Sequence, residues 1–187
     1  MNKLKEVLIE NPVIAAIRND EGLKRVVSSN ANIVFILYGD ILSVKDICSK
    51  LKEKGKLVFV HLDLIDGIRG DQSSVRFIKE NVKADGIIST RSSNIKYANQ
   101  INLFSIQRMF AIDSLSLKTG IKSIHDTNPT AVEVMPGVAS KIINVLKKEI
   151  KVPIIAGGLI TNKKDVIESL SAGAVAVSTT DSSLWNL

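Results

Sequence analysis

The residues able to bind or transform a small anion collect just after short apolar runs. In VPIIAGGLI, 152–160, such a run leads straight into Gly157 and Gly158, and in AGAVAVSTTDSSLW, 172–185, another leads into Ser178, Thr179 and Thr180. Two adjacent glycines let an anion approach the backbone N–H groups with no Cβ in the way, and three hydroxyls add donors. A third string, HLDLIDG at 61–67, sets His61 and Asp63 two residues apart. On an extended segment they point the same way, as an acid–base pair or two metal ligands must. Arg18, Arg91 and Arg108 follow three further apolar runs, and Glu133 lies in a fourth. Bidentate arginines beside a Gly-Gly anion site suit a small phosphorylated polyol, with at least one of these cations expected to pair with Asp63 or Glu133.

The elements that must position these groups follow from periodicity. Eight β-branched runs recur, at 13–17, 33–37, 57–61, 86–89, 103–106, 131–134, 153–156 and 174–178. They are apolar on both faces, as parallel strands covered by helices are. Between them lie segments with helical spacing. One is 43–54, with Ser43 as N-cap and Val44, Ile47, Cys48 and Leu51 as its buried stripe. Another is 138–149, with Val138, Ile142, Val145 and Leu146, and a third is 162–172, with Val166, Ile167 and Leu170. Alternation of this kind predicts an α/β fold, a compact (β/α)8 TIM-barrel-like single domain over 1–187, with an open doubly wound sheet as the alternative. Such a barrel is lean, so the helices around 70–80 and 93–99 are expected to be short or irregular. Its functional face is the carboxyl end of the strands, where the polar residues named above fall.

Composition narrows the class. The chain has 187 residues, 45% of them hydrophobic, and no apolar run reaches the roughly 20 residues that cross a bilayer. The start, MNKLKEVLIENP, lacks the apolar core of a secretory signal, which predicts a cytoplasmic protein. Cys48 is the one cysteine and reads as a small core residue. The net charge of +6 attracts anions, phosphorylated metabolite or nucleic acid alike, while 4% aromatic content argues against a surface of stacked bases.

HLDLIDG is similar to a string in metal-dependent phosphosugar epimerases, where Asp63 would be the base. The further histidine and second acid of those enzymes have no counterpart here: Ala156 stands before the Gly-Gly pair, and His125 falls in a helical segment. A wider resemblance runs along almost the whole chain. The strings AIRN (16–19), HLDLIDGI (61–68), DGIISTRSS (85–93), IQRMF (106–110), VEVMPG (132–137), AGGLI (156–160) and the tail 172–185 resemble the glycerol uptake operon antiterminator regulatory proteins. That resemblance implies a barrel without catalytic activity, metal or cofactor that binds glycerol 3-phosphate. It also implies that the loaded protein binds the leader of glycerol-utilisation mRNA and prevents termination. The phosphate would lie against Gly157, Gly158, Ser178, Thr179 and Thr180, and the glycerol end would face residues among Arg18, His61, Asp63, Arg91, Arg108 and Glu133. Asp181 and Ser183 depart from the family's tail, and the Asp181 carboxylate would repel a phosphate unless it turns away to cap the last helical turn. For RNA, the candidates are Lys45, Lys52 and Lys56 on a lysine-rich face, and Lys163 and Lys164 beside the ligand loops. The alternative function is a phosphosugar or polyol-phosphate isomerase or epimerase.

Overall fold

The computed structural model describes residues 3–187; Met1 and Asn2, the start of the segment read for a signal, lie outside the described residues. Eight parallel strands close into a barrel in chain order. They are β1 (Val13–Ile17), β2 (Ile33–Ile36), β3 (Leu57–His61), β4 (Gly86–Ser89), β5 (Phe104–Phe110), β6 (Ala131–Met135), β7 (Ile154–Gly157) and β8 (Ala176–Thr179). The predicted (β/α)8 barrel is therefore the fold, and the open sheet is excluded because β1 pairs with both β2 and β8.

The helices are α1 (Lys3–Glu10), α2 (Asp20–Val26), α3 (Val44–Glu53), α4 (Gln72–Phe77), α5 (Ser92–Gln100), α6 (Ser114–Thr127), α7 (Ser140–Glu149) and α8 (Lys163–Ala172). Their ends follow local chemistry. Asp113 accepts the Ser116 N–H at 2.7 Å to open α6, Asn162 accepts the Asp165 N–H at 3.0 Å to open α8, and Gly173 closes α8. The lean ring is achieved partly as expected: α4 is short and runs into a π-turn over Ile78–Val82. The segment around 93–99 is instead a regular helix, α5, because Ile95 and Ala98 give it a buried face.

Two apolar layers result. Inward-pointing residues such as Ile14, Phe35, Phe59, Ile106 and Ile155 fill the barrel, and Leu4 and Leu8 of α1 join that cluster, plugging its amino-terminal end. Phe35 meets Phe59 edge-on at 5.9 Å. The larger cluster lies between strands and helices, and Cys48 is buried in it, where burial pushes its thiol up to about 11. Three local expectations shift. Ser43 sits at the start of α3 without capping it, because its hydroxyl bonds to Asp40 instead. In α7 the buried pair is Ile143 and Leu146, since the helix begins at Ser140 and leaves Val138 in the preceding loop. In α8 Ile167 is exposed, and Ser169 takes the inner position, donating to the Gly137 carbonyl at 3.1 Å.

Candidate ligand-binding site

Side chains alternate along a strand, so each inward series ends at the barrel mouth. Ile14 and Ala16 lead to Arg18, Ile106 to Arg108, Ala131 to Glu133, Ile155 to Gly157, and Ala176 to Ser178. Arg108 and Glu133 are directly paired in the β5–β6 register, as are Gly157 and Ser178 in the β7–β8 register. Arg108 and Gly157 thus join Glu133 and Ser178 inside strands, because β5 and β7 run further than the apolar runs alone indicate.

Glu133 is wholly buried and organises the floor. Its Oε2 accepts from Arg108 Nε at 2.6 Å, and its Oε1 accepts from Ser178 Oγ at 2.5 Å. A Cβ on residue 157 would stand 2.6 Å from Glu133 Oε1, so Gly157 makes room for this carboxylate, and the cavity above is lined by Gly158 in its place. Gly158 is different. It has φ +76 and only Met135 atoms near a built Cβ, at 3.6 Å or beyond, and with Leu159 at φ 62 it forms a left-handed turn on the mouth.

Above this floor opens a cavity of about 280 Å³ lined by Arg18, Arg108, Glu133, Gly158, Ser178, Thr179 and Thr180, with Ala16, Leu37, Met135, Leu159, Ile160 and Thr161 completing the wall. The last six went unnamed as site residues in the sequence: the apolar ones look like any strand end, and only Thr161, next to AGGLI, offered a polar hint. Of the three predicted hydroxyls, two are committed. Ser178 donates to Glu133, and Thr179 donates to the Ile160 carbonyl at 2.7 Å, while Thr180 is exposed on the cavity wall. Arg18 is exposed and forms no ion pair among the described residues. Arg108 lends only Nε to Glu133, which leaves its terminal nitrogens to the cavity it lines.

His61, Asp63 and Arg91 do not line this cavity. Asp63 sits in a one-turn 3-10 helix, Leu62–Leu64, so it does not continue the β3 alternation from His61. Its Oδ2 accepts from Ser89 Oγ and the Thr90 N–H, and its Oδ1 lies 3.4 Å from Arg91 Nε. Arg91 Nη1 in turn donates to the carbonyls of Arg69 and Gly70, so this pair anchors the loop after β3. His61 is buried with neither ring nitrogen hydrogen-bonded. Burial first, then the nearby Arg108 charge, lower its pKa to about 4. The ring is therefore neutral near pH 7, and its 4.0 Å approach to Asp63 is neither an ion pair nor a hydrogen bond.

The lysines fare unequally. Lys56 is buried, its ammonium donating to the carbonyls of Ser29 and Ala31, so it is a structural strut and is withdrawn from the RNA candidates. Lys52 is held by Asp85 at 2.5 Å, and Lys164 lies 3.8 Å from Glu168. Lys45 and Lys163 are exposed near the starts of α3 and α8. Asp181 turns away from the cavity as the tail required: its carboxylate accepts from Ser183 N and Ser183 Oγ, capping the 3-10 turn Ser182–Leu184.

A family model for the glycerol-3-phosphate responsive antiterminators matches residues 13–185. The chain belongs to that family. Family members of known structure share the whole architecture. The glycerol uptake operon antiterminator regulatory protein of Listeria monocytogenes str. 4b F2365 superposes with a TM-score of 0.89 at 30% identity, covering 92% of this chain and 94% of its own. A glycerol uptake operon antiterminator-related protein of Thermotoga maritima MSB8 gives 0.84 at 32% identity, covering 94% and 98%. The uncharacterized protein YgcP of Escherichia coli (strain K12) is 36% identical over 184 residues, 98% of this chain and 96% of its own.

Proposed function

We propose that this member of the family binds glycerol 3-phosphate in the barrel-mouth cavity and, when loaded, binds an mRNA leader and prevents termination, with no turnover of the ligand. The observation that carries the ligand half is Arg18: an exposed cation without an acidic partner faces a small cavity whose floor is already neutralised as Arg108–Glu133. A phosphate supplies the missing counter-charge, with Thr180 and the Gly158–Leu159 turn beside it. The hydroxyls of the glycerol end then meet Glu133 and the terminal nitrogens of Arg108. The cavity falls below the usual range of about 300–1,000 Å³ for drug-sized ligands, in keeping with so small an effector.

The absence of turnover is supported by how the acids are spent. Asp63, the base of the isomerase alternative, anchors a loop through Arg91, Ser89 and Thr90, and Glu133 holds Arg108 and Ser178. The test is transcription in vitro from a template with a glycerol-operon leader and terminator. Read-through that requires both the protein and glycerol 3-phosphate is expected. Read-through unchanged by either removes the antiterminator reading.

A further inference from the structure

The geometry points to an RNA-binding face on α6 and α7, opposite in the ring to the lysine-rich α3; this inference rests on the antiterminator reading. Over residues 114–151 six exposed lysines stand against two exposed carboxylates, Asp126 and Glu149, while the third acid of the stretch, Glu133, is buried against Arg108, so the exposed groups here carry a surplus of four positive charges. None of the six forms an ion pair among the described residues. The α2–α3 side is nearly balanced: the groove there sets Lys24, Lys50 and Lys54 beside Asp20 and Glu53, Lys52 is tied to Asp85, and Lys56 is buried. A polyanion therefore gains more on the α6–α7 side.

The helix geometry aligns these charges. Gly120 faces the barrel, against Met109, and Ser123 reaches toward α5 through Ser92 at 2.9 Å. Turning about 100° per residue from those anchors places Leu117 toward α7 and Lys118 and Lys122 on the outer edge. On α7, Ile143 and Leu146 face inward, which puts Lys141 and Lys148, seven residues apart, on the outer face, with Lys141 reaching the crevice shared with α6 and Glu149 on the edge nearer it. Between the helices runs an open crevice of about 180 Å³, lined by Leu117, Ile142, Val145 and Lys141, with Asp113, whose carboxylate caps α6, at its upper end. Two lysine rows thus flank one groove, a spacing that engages a phosphate backbone from both sides; the Lys151 ammonium extends the row at its foot.

The location also accounts for control by the ligand. β5 and β6 carry the paired Arg108 and Glu133 two residues before their ends, and they lead through short loops into α6 and α7. The Ala111 N–H donates to the Met135 carbonyl at 2.9 Å, and Gly137 N–H to Gly157 O at 2.6 Å, so the two loops are bonded to each other and to the cavity wall. A ligand that re-engages Arg108 and Glu133 acts on the spacing of the two rows, and linkage requires RNA to tighten the ligand by the same factor.

The test uses the full chain and a labelled RNA consisting of a GC-rich hairpin with a uridine tail, followed by fluorescence anisotropy between 50 and 300 mM salt (on the order of the usual window for counterion release), with glycerol 3-phosphate present. The variant Lys118→Ala/Lys122→Ala/Lys141→Ala/Lys148→Ala is expected to bind at least about 100-fold more weakly, with the log–log salt slope reduced by about 3. Its unchanged calorimetric affinity for glycerol 3-phosphate would show the fold intact. Lys50→Ala/Lys54→Ala should bind RNA like the wild type. RNA affinity and salt slope that survive the fourfold change, or fall only with the α3 change, overturn this face while leaving the antiterminator reading standing. A wild-type protein that binds no RNA removes both.

Discussion

The buried pair Arg108–Glu133 gives the sharpest energetic prediction. Glu133→Gln keeps an oxygen to accept from Ser178 but leaves the Arg108 guanidinium, 8% exposed, without its carboxylate. Arg108→Met leaves a wholly buried carboxylate with Ser178 as its remaining partner. Breaking a buried pair from one side costs about 3–5 kcal/mol. At roughly 2–4 °C per kcal/mol for a chain of this size, each single variant should melt about 6–20 °C lower. The double variant Arg108→Met/Glu133→Gln removes both charges and keeps the Ser178 acceptor, so it should lose much less than the sum, with a coupling of at least about 2 kcal/mol. Urea denaturation followed by Trp185 emission is the assay. Trp185 is the chain's one tryptophan, and its ring N–H donates to the Thr179 carbonyl at 3.0 Å, so exposure on unfolding changes its signal. Additive losses, or single variants within about 1 kcal/mol of wild type, would refute the claim that these charges depend on each other.

His61 is neutral when folded, with a pKa of about 4, whereas the unfolded ring titrates near 6.5. Its contribution is therefore fully present above pH 6.5, falls as the unfolded state takes up the proton, and is lost by about pH 4, a change of about 3 kcal/mol. The stability difference between wild type and His61→Gln should shift by that order between pH 7 and 4.5; a constant difference would mean the ring is not desolvated. Gly157→Ala should destabilise more than Gly158→Ala, because its Cβ meets the Glu133 carboxylate at 2.6 Å, and equal melting points would contradict that role. Gly158→Asp should stay folded yet lose glycerol 3-phosphate, since it sets a negative charge at the anion turn; unchanged calorimetric affinity would remove Gly158 from the site. Lys56→Met should lower stability by about 1–3 kcal/mol by leaving the Ser29 and Ala31 carbonyls unpaired, and RNA affinity should not change.

How far the sequence could be read depended on whether a property is local. Strands buried on both faces advertise themselves as apolar runs, and their regular alternation with helices made the barrel legible. The mouth was legible too, because polar residues at strand ends can only collect there. What stayed hidden was how those groups are spent on one another. Ser178 and Thr179 look like free donors until Glu133 and the Ile160 carbonyl are seen to accept their hydrogen bonds. Gly157 looks like bare backbone until the register shows a carboxylate filling its side. Asp63 left the predicted pocket because a 3-10 turn broke the strand alternation on which its placement relied, and Arg91 is drawn with it by their ion pair and by the Arg69 and Gly70 carbonyls. Lys56 was read as part of a solvated face, and only the packing of the β3 start against the Ser29–Ala31 turn buries its ammonium.

The central claim is that the barrel mouth is a receptor for a phosphorylated polyol, and calorimetric titration with glycerol 3-phosphate tests it most directly, with glycerol and inorganic phosphate as controls and Arg18→Ala as the site probe. The account predicts saturable binding that needs both halves of the ligand, yields no product, and is at least about tenfold weaker in Arg18→Ala through loss of one charge-assisted contact. No binding of glycerol 3-phosphate, or equal binding by wild type and Arg18→Ala, would contradict it.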